Sequence, residues 1–294
     1  MIYLILSVLA SSLIFVIFKV FPKYNIDTLQ AIIINYVVAS ISGIIAYSEP
    51  IDITYISKKD WFYGTMILGI IFISVFNLMA ITTQKNGLSV AAVATKMSLV
   101  IPIIFGIIAY QESTGILKII GVLIALIAVY LAAIKTTENS SMLKGNLIFP
   151  ILVFIGSGVI DTSIKFLETH YVTKNDIPIF SATIFGFAAF TGTAILIYKA
   201  SIGNLKISLK NIIAGIILGV PNYFSIYFLI KALRHDNMDS SAVFTINNVA
   251  ILLVSTTLGI LFFKEKLTLK NWTGIILAIV SIILVALSIQ QTHF

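Results

Sequence analysis

Cysteine is absent from the 294 residues, which removes disulfides, thiolate metal sites and thiol catalysis. Charge is scarce. Asp, Glu, Lys and Arg make up 11% of the chain, against about 25% in an ordinary soluble domain. That composition cannot cover a water-facing surface. Histidine is nearly missing: His170, His235 and His293 fall in expected loops or the tail, so no His-based metal motif and no Ser/His pair lies at depth. These absences argue strongly against intramembrane hydrolysis and metal chemistry, and no enzymatic activity, metal or cofactor is expected. The net charge of +7 is scattered over loops without a basic run, so nucleic acid is not an expected partner.

What is abundant is apolar. The chain is 59% hydrophobic, with a mean hydropathy of +1.06. A hydrocarbon core needs about 20 apolar residues per helix. That rule places ten spans: Ile2–Val20, Thr28–Tyr47, Trp61–Thr83, Leu88–Ala109, Thr114–Ile134, Asn146–Leu167, Ile177–Tyr198, Asn211–Leu233, Ser240–Phe263 and Lys270–Ile289. The first lacks a basic leader and a small-residue cleavage site, so it is expected to be a retained span. All connections are too short for a soluble domain. The expectation is an all-α, multi-pass protein of the cell membrane, with the bilayer and a small-molecule substrate as partners, and a monomer or homodimer as its assembly. Trp61 and Trp272 stand at helix starts, which suits the membrane interface. Spans five and ten carry few polar side chains and are expected to face lipid. Pro102, Pro150 and Pro221 lie inside spans, where each removes a backbone donor and can kink its helix or open it toward a cavity.

The chain repeats itself. A shift of 153 positions takes Leu99 to Leu252, Gly106 to Gly259, Glu112 to Glu265, Gly121 to Gly274, Ala125 to Ala278 and Ala133 to Ala286. Upstream, Ile56-Ser57-x-Lys59 and Gly64 answer Ile207-Ser208-x-Lys210 and Gly215. The repeats cover 1–134 and 146–289, with 135–145 connecting them. Five spans per repeat is an odd number, so the copies are expected to be inverted in the membrane, a pattern of secondary transporters.

Ten spans and the doubled helix–Glu–helix unit, Phe105-Gly106…Tyr110-Gln111-Glu112-Ser113…Gly121 and Leu258-Gly259…Phe263-Lys264-Glu265-Lys266…Gly274, resemble the EamA-domain proteins of the drug/metabolite transporter superfamily. The second copy matches more fully; in the first, Gln111 and Ser113 replace the usual Gly and basic residue. The resemblance implies two inverted five-helix repeats around a central cavity, peripheral fifth and tenth helices, and cytoplasmic termini. The lysine distribution alone points to termini outside under the positive-inside rule. Related small multidrug carriers couple to protons through a first-helix Glu. The first span here offers Ser7, Ser11 and Ser12 and no acid, so that route is not expected.

Lys96 lies about 4 Å from the centre of the fourth span at ~1.5 Å rise per residue. A charge there costs at least ~2.5–3.5 kcal/mol on insertion scales, and such residues usually face a water-filled cavity. Thr95 is beside it and aligns with Asn248 of span nine, next to Asn247. Asn77 in span three and Asn222, Tyr223 and Tyr227 in span eight add polar groups at mid-depth. For each Asn or Tyr alone an interhelical hydrogen bond is the favoured reading; their joint placement at mid-depth argues for a substrate pocket, with Lys96 drawing an anionic group. Asp161 is the one acid well inside a span, with Lys165 one turn later. It is a candidate for ion coupling or for structural neutralisation by that lysine. Glu112 and Glu265 precede helices five and ten, where a carboxylate satisfies free backbone donors. They, with Gly106 and Gly259, are expected to be structural. The function expected is export of small polar metabolites, amino acids or related carboxylates, by alternating access. The alternatives are export of cationic drugs, or a non-transporting assembly protein in which the polar cluster closes on itself.

Overall fold

Long apolar stretches separated by short polar turns can satisfy their backbone groups in a bilayer only as helices, and helices are what form. The computed structural model describes residues 2–47, 49–50, 52–110, 115–133, 143–203, 207–235 and 240–291. They form α1 (Ile2–Val20), α2 (Thr28–Ile45), α3 (Ile53–Ser57), α4 (Phe62–Lys85), α5 (Leu88–Met97), α6 (Val100–Tyr110), α7 (Ile116–Ala133), α8 (Leu143–Tyr171), α9 (Ile177–Ser201), α10 (Leu209–His235), α11 (Ser240–Phe263) and α12 (Leu269–Gln291). Among the described residues nine stretches are long and apolar enough to cross a membrane. The fifth expected span is represented by a shorter apolar stretch, Ile119–Ala132.

Span four differs from expectation. It is two helices, α5 and α6, parted at Ser98 and Leu99. The cause is local. Pro102 has no N–H to give the Ser98 carbonyl, and its ring crowds that carbonyl. Ser98 O instead accepts the Ile101 N–H at 2.9 Å.

The helices group into two compact units that cut across the sequence repeats. The first comprises Met1–Lys19, Leu78–Val159 and Phe224–Phe294. In it α5 contacts α7 and α11, and α12 contacts α7 and α11. Between helices in lipid the attraction is close packing, not water exclusion, and small residues allow it. Gly274 of α12 lies on α7, where a Cβ would come 2.5 Å from Ala132 N and 2.9 Å from Ala128 O. Gly121 of α7 lies on α12, where a Cβ would come 2.8 Å from Val285 Cγ2 and 3.3 Å from Ser281 O. Spans five and ten therefore turn one face to each other. Their other faces, with Ile120, Leu123 and Ile127 on α7 and Ile276 and Ile283 on α12, are exposed.

The second unit comprises Val20–Asn77 and Ile160–Tyr223. Its core joins Ile56, Trp61 and Leu68 to Ile179, Phe180, Ala182 and Ile184. Trp61 is wholly buried, edge-on to Phe180 with ring centroids 5.5 Å apart, and so is a core residue and not an interfacial one. Trp272 is 42% exposed. Polar groups tie the helix starts. Asp27 caps α2 by accepting the Gln30 N–H, and Asp27 N–H donates to Asn211 Oδ1 at 3.1 Å. Near the start of α9, Asp176 takes Lys59 at 2.9 Å. Lys59 is held above its ordinary pKa, first by its hydrogen bond to Tyr55 and then by Asp176.

Candidate functional site

The expected site residues divide between the two units. Lys96, Thr95, Tyr227, Asn247 and Asn248 belong to the first; Asn77, Asp161, Asn222 and Tyr223 belong to the second.

In the first unit Lys96 is half-buried in the last turn of α5, two residues before the break. Thr95 Oγ1 donates to Ala91 O at 2.8 Å, and Ser98 Oγ donates to Thr95 O at 2.6 Å. The end of α5 is thus partly satisfied by its own hydroxyls. A helix interrupted beside a cation offers three kinds of group together: a charge, carbonyls released from the helical ladder, and the N-terminus of the following helix. Transporters use such interruptions to hold ions and substrates. Gly158 of α8 packs against the Ile101 side chain, bringing α8 close to the same break. On α11, Asn247 is buried and its Oδ1 has no hydrogen-bond partner among the described residues, while Asn248 is half-buried. Tyr227 is half-buried on α10, and the Lys231 ammonium stands 4.9 Å from its ring and 5.6 Å from that of Tyr3.

In the second unit Asn222 donates through Nδ2 to Asn35 Oδ1 at 3.0 Å. Both are buried, so this pair joins α10 to α2. Asn35 was not singled out from the sequence, although a lone Asn within an apolar span is a detectable signal. Asn77 Nδ2 donates to Ile73 O of its own helix at 2.8 Å. Tyr223 is half-buried and Asp161 is exposed. The Lys165 side chain lies outside what the structure describes.

Glu112 also lies outside the described residues. Glu265 does not cap the helix it precedes. Thr268 and Asn271 do that reciprocally: Asn271 Oδ1 accepts the Thr268 N–H at 3.0 Å, and Asn271 N–H donates to Thr268 Oγ1 at 3.2 Å. Glu265 instead reaches the start of α5, whose N-cap residue, Gly87, has no side chain to offer. Glu265 Oε1 accepts the Leu88 N–H at 2.8 Å and lies 3.4 Å from Lys19 Nζ; Oε2 is 3.4 Å from Ser89 Oγ. A Cβ on Gly259 would sit 2.6 Å from Oε2, and one on Gly87 2.7 Å from Oε1, so both glycines make room for this carboxylate. A cavity of about 300 Å³ adjoins it, lined among others by Lys19, Asn86, Val90, Lys266 and Asn271. Lys19 and Gly87 had no sequence signal, because their partner is distant in the chain.

The model of the EamA-like transporter family matches residues 1–134 and again 145–287. An uncharacterised protein of Haemophilus influenzae is 29% identical over 284 residues, covering 95% of each chain. A protein of Listeria innocua and one of Listeria monocytogenes, whose names propose sugar uptake, are each 26% identical over 250 residues, covering 80% of this chain and 78% of theirs. A crystal structure of a protein with 12% identity superposes with a TM-score of 0.58 over 97% of this chain and 98% of that one, a likeness of fold alone.

Proposed function

We propose that this chain, which belongs to the EamA-like transporter family, carries small polar metabolites bearing a carboxylate, amino acids or related acids, across the membrane by alternating access. The observation that carries the reading is Lys96: a half-buried cation two residues before the interruption of span four. Charged side chains within spans mark substrate and ion pathways. In the first unit Thr95, Asn247, Asn248 and Tyr227 are proposed as further substrate contacts; in the second unit, taken by itself, Asn77, Asn222 and Tyr223 are the proposed ones. Asn222 is the weakest of these, since Asn35 already accepts its amide. Asp161 is the proposed place for ion coupling.

Export is the direction proposed, carried over from the resemblance. A second reading, uptake of sugars, is favoured by the names of the two Listeria relatives. Counterflow in liposomes of purified protein separates them. Preloaded amino or organic acids accelerating labelled-acid entry supports the first reading. Exchange of neutral sugars alone supports the second. Exchange of cationic drugs alone would sink both. Sided vesicles then give the direction.

A further inference from the structure

We propose that Glu265 is a releasable latch at one face of the membrane. Its carboxylate docks the turn between α11 and α12 onto the start of α5 and the end of α1, and it leaves that socket and returns as the protein changes state. Every part lies in the first unit. The socket is specific: a helix N-terminus whose own N-cap is a glycine, a hydroxyl, an ammonium, and two glycines, Gly87 and Gly259, on which a Cβ would collide with the carboxylate. It is also lightly fastened. Of the three polar contacts only the bond to Leu88 is short, and the ion pair and the Ser89 contact are both at 3.4 Å. Lys19 keeps a second acceptor, Thr83 O at 3.2 Å, that does not depend on Glu265.

The turn itself stores strain. Lys264, immediately before Glu265, has φ 51°, a left-handed conformation in which its Cβ crowds the following carbonyl. Such strain persists only where the surroundings over-determine it, and it concentrates at switch regions. Two contacts supply that determination: the docked carboxylate, and the Glu265 N–H, which donates to Gly259 O at 3.0 Å. Undocking removes the first of these, and Lys264 then has less to hold it in the left-handed conformation. The cavity of about 300 Å³ beside Glu265 gives the released carboxylate room, with Lys19 and Lys266 as the charged groups that line it.

The test uses solvent access and needs no substrate, so its failure leaves the carboxylate reading of Lys96 intact. The chain has no cysteine, so Val90→Cys, on the cavity wall, is a sole reporter. Its rate of modification by a small cationic thiosulfonate reads the open fraction. In that background Glu265→Gln keeps the shape and removes the charge, and should speed labelling at least fivefold. Lys264→Asn tolerates the left-handed conformation, favours docking and should slow labelling severalfold. Rates within twofold of the parent in both variants overturn the latch. If Glu265→Gln does not fold, Lys264→Asn decides alone: slower labelling supports the latch, and unchanged or faster labelling overturns it.

Discussion

Gly121 and Gly274 hold the same place in one helix contact, seen from its two sides. Gly121 faces Val285 and Ser281; Gly274 faces Ala132 and Ala128. Each of these three pairings, Gly121 with Gly274, Ala132 with Val285 and Ala128 with Ser281, is separated by the same 153 positions that relate the two copies in sequence. In the second unit glycines also make the close approaches: Gly69 of α4 lies against Phe187 of α9, and Gly219 of α10 lies against Val38 of α2. Duplication is thus written in the contacts as well as in the letters.

The two α7–α12 glycines should nevertheless differ in cost. The three atoms nearest a Cβ at Gly274 are all backbone of α7, which cannot step aside. At Gly121 its nearest neighbour is a methyl of Val285, which can. Gly274→Ala should cost about 1–3 kcal/mol and Gly121→Ala less than about 1 kcal/mol. Thermal melts of the two detergent-solubilised variants check the order; equal costs would refute the backbone argument.

Inversion of the copies is a topological claim. Cysteines introduced singly at Gln111 and Lys264 should be labelled from opposite faces of the membrane by an impermeant maleimide. Labelling of both from one face would remove the inverted-repeat architecture.

Lys59 and Asp176 give a pH signature. The folded state raises the Lys59 pKa above 10.5, through Tyr55 first and Asp176 second. The folded protein therefore holds that proton more tightly than the unfolded chain does. The stabilisation is fully present below the unfolded value and is lost as pH rises through the folded one. Lys59→Met should melt a few degrees lower at most near pH 8, since such pairs are individually weak. The gap should close in melts taken progressively above pH 10.5. A gap independent of pH would assign the loss to packing.

Span limits, the duplication and the family were legible because they rest on local composition and spacing. The first expected span and α1 share the limits Ile2–Val20. The break at Ser98 was only half legible. Pro102 marked a kink, but a proline at the third position of a new helix and one inside a continuous helix look alike in sequence. Pro150 and Pro221 show the other outcome, lying within the unbroken α8 and α10. The partner of Glu265 was not legible at all. A Glu before a helix reads as that helix's own cap, and only the fold shows that Thr268 and Asn271 have taken the task. Trp61 misled for a similar reason: an aromatic at a helix start suits the interface until the start of α9 covers it.

The sharpest expectation concerns Lys96. Lys96→Met keeps the length of the side chain and removes its charge. The residue is half-buried in the last turn of α5, so the folded protein should tolerate the change. A hydrogen bond to a charged group is worth about 1.5–3 kcal/mol, so the apparent affinity for carboxylate substrates should fall roughly ten- to hundred-fold. Neutral sugars, which give the ammonium no charge to meet, should lose far less. The measurement is a competition series in liposomes: one labelled substrate displaced by a carboxylate and by its uncharged amide, in both proteins. If the acid and its amide lose affinity equally, Lys96 shapes the break without reading charge. If only the acid does, the cation beside the interrupted helix is the group that selects the substrate.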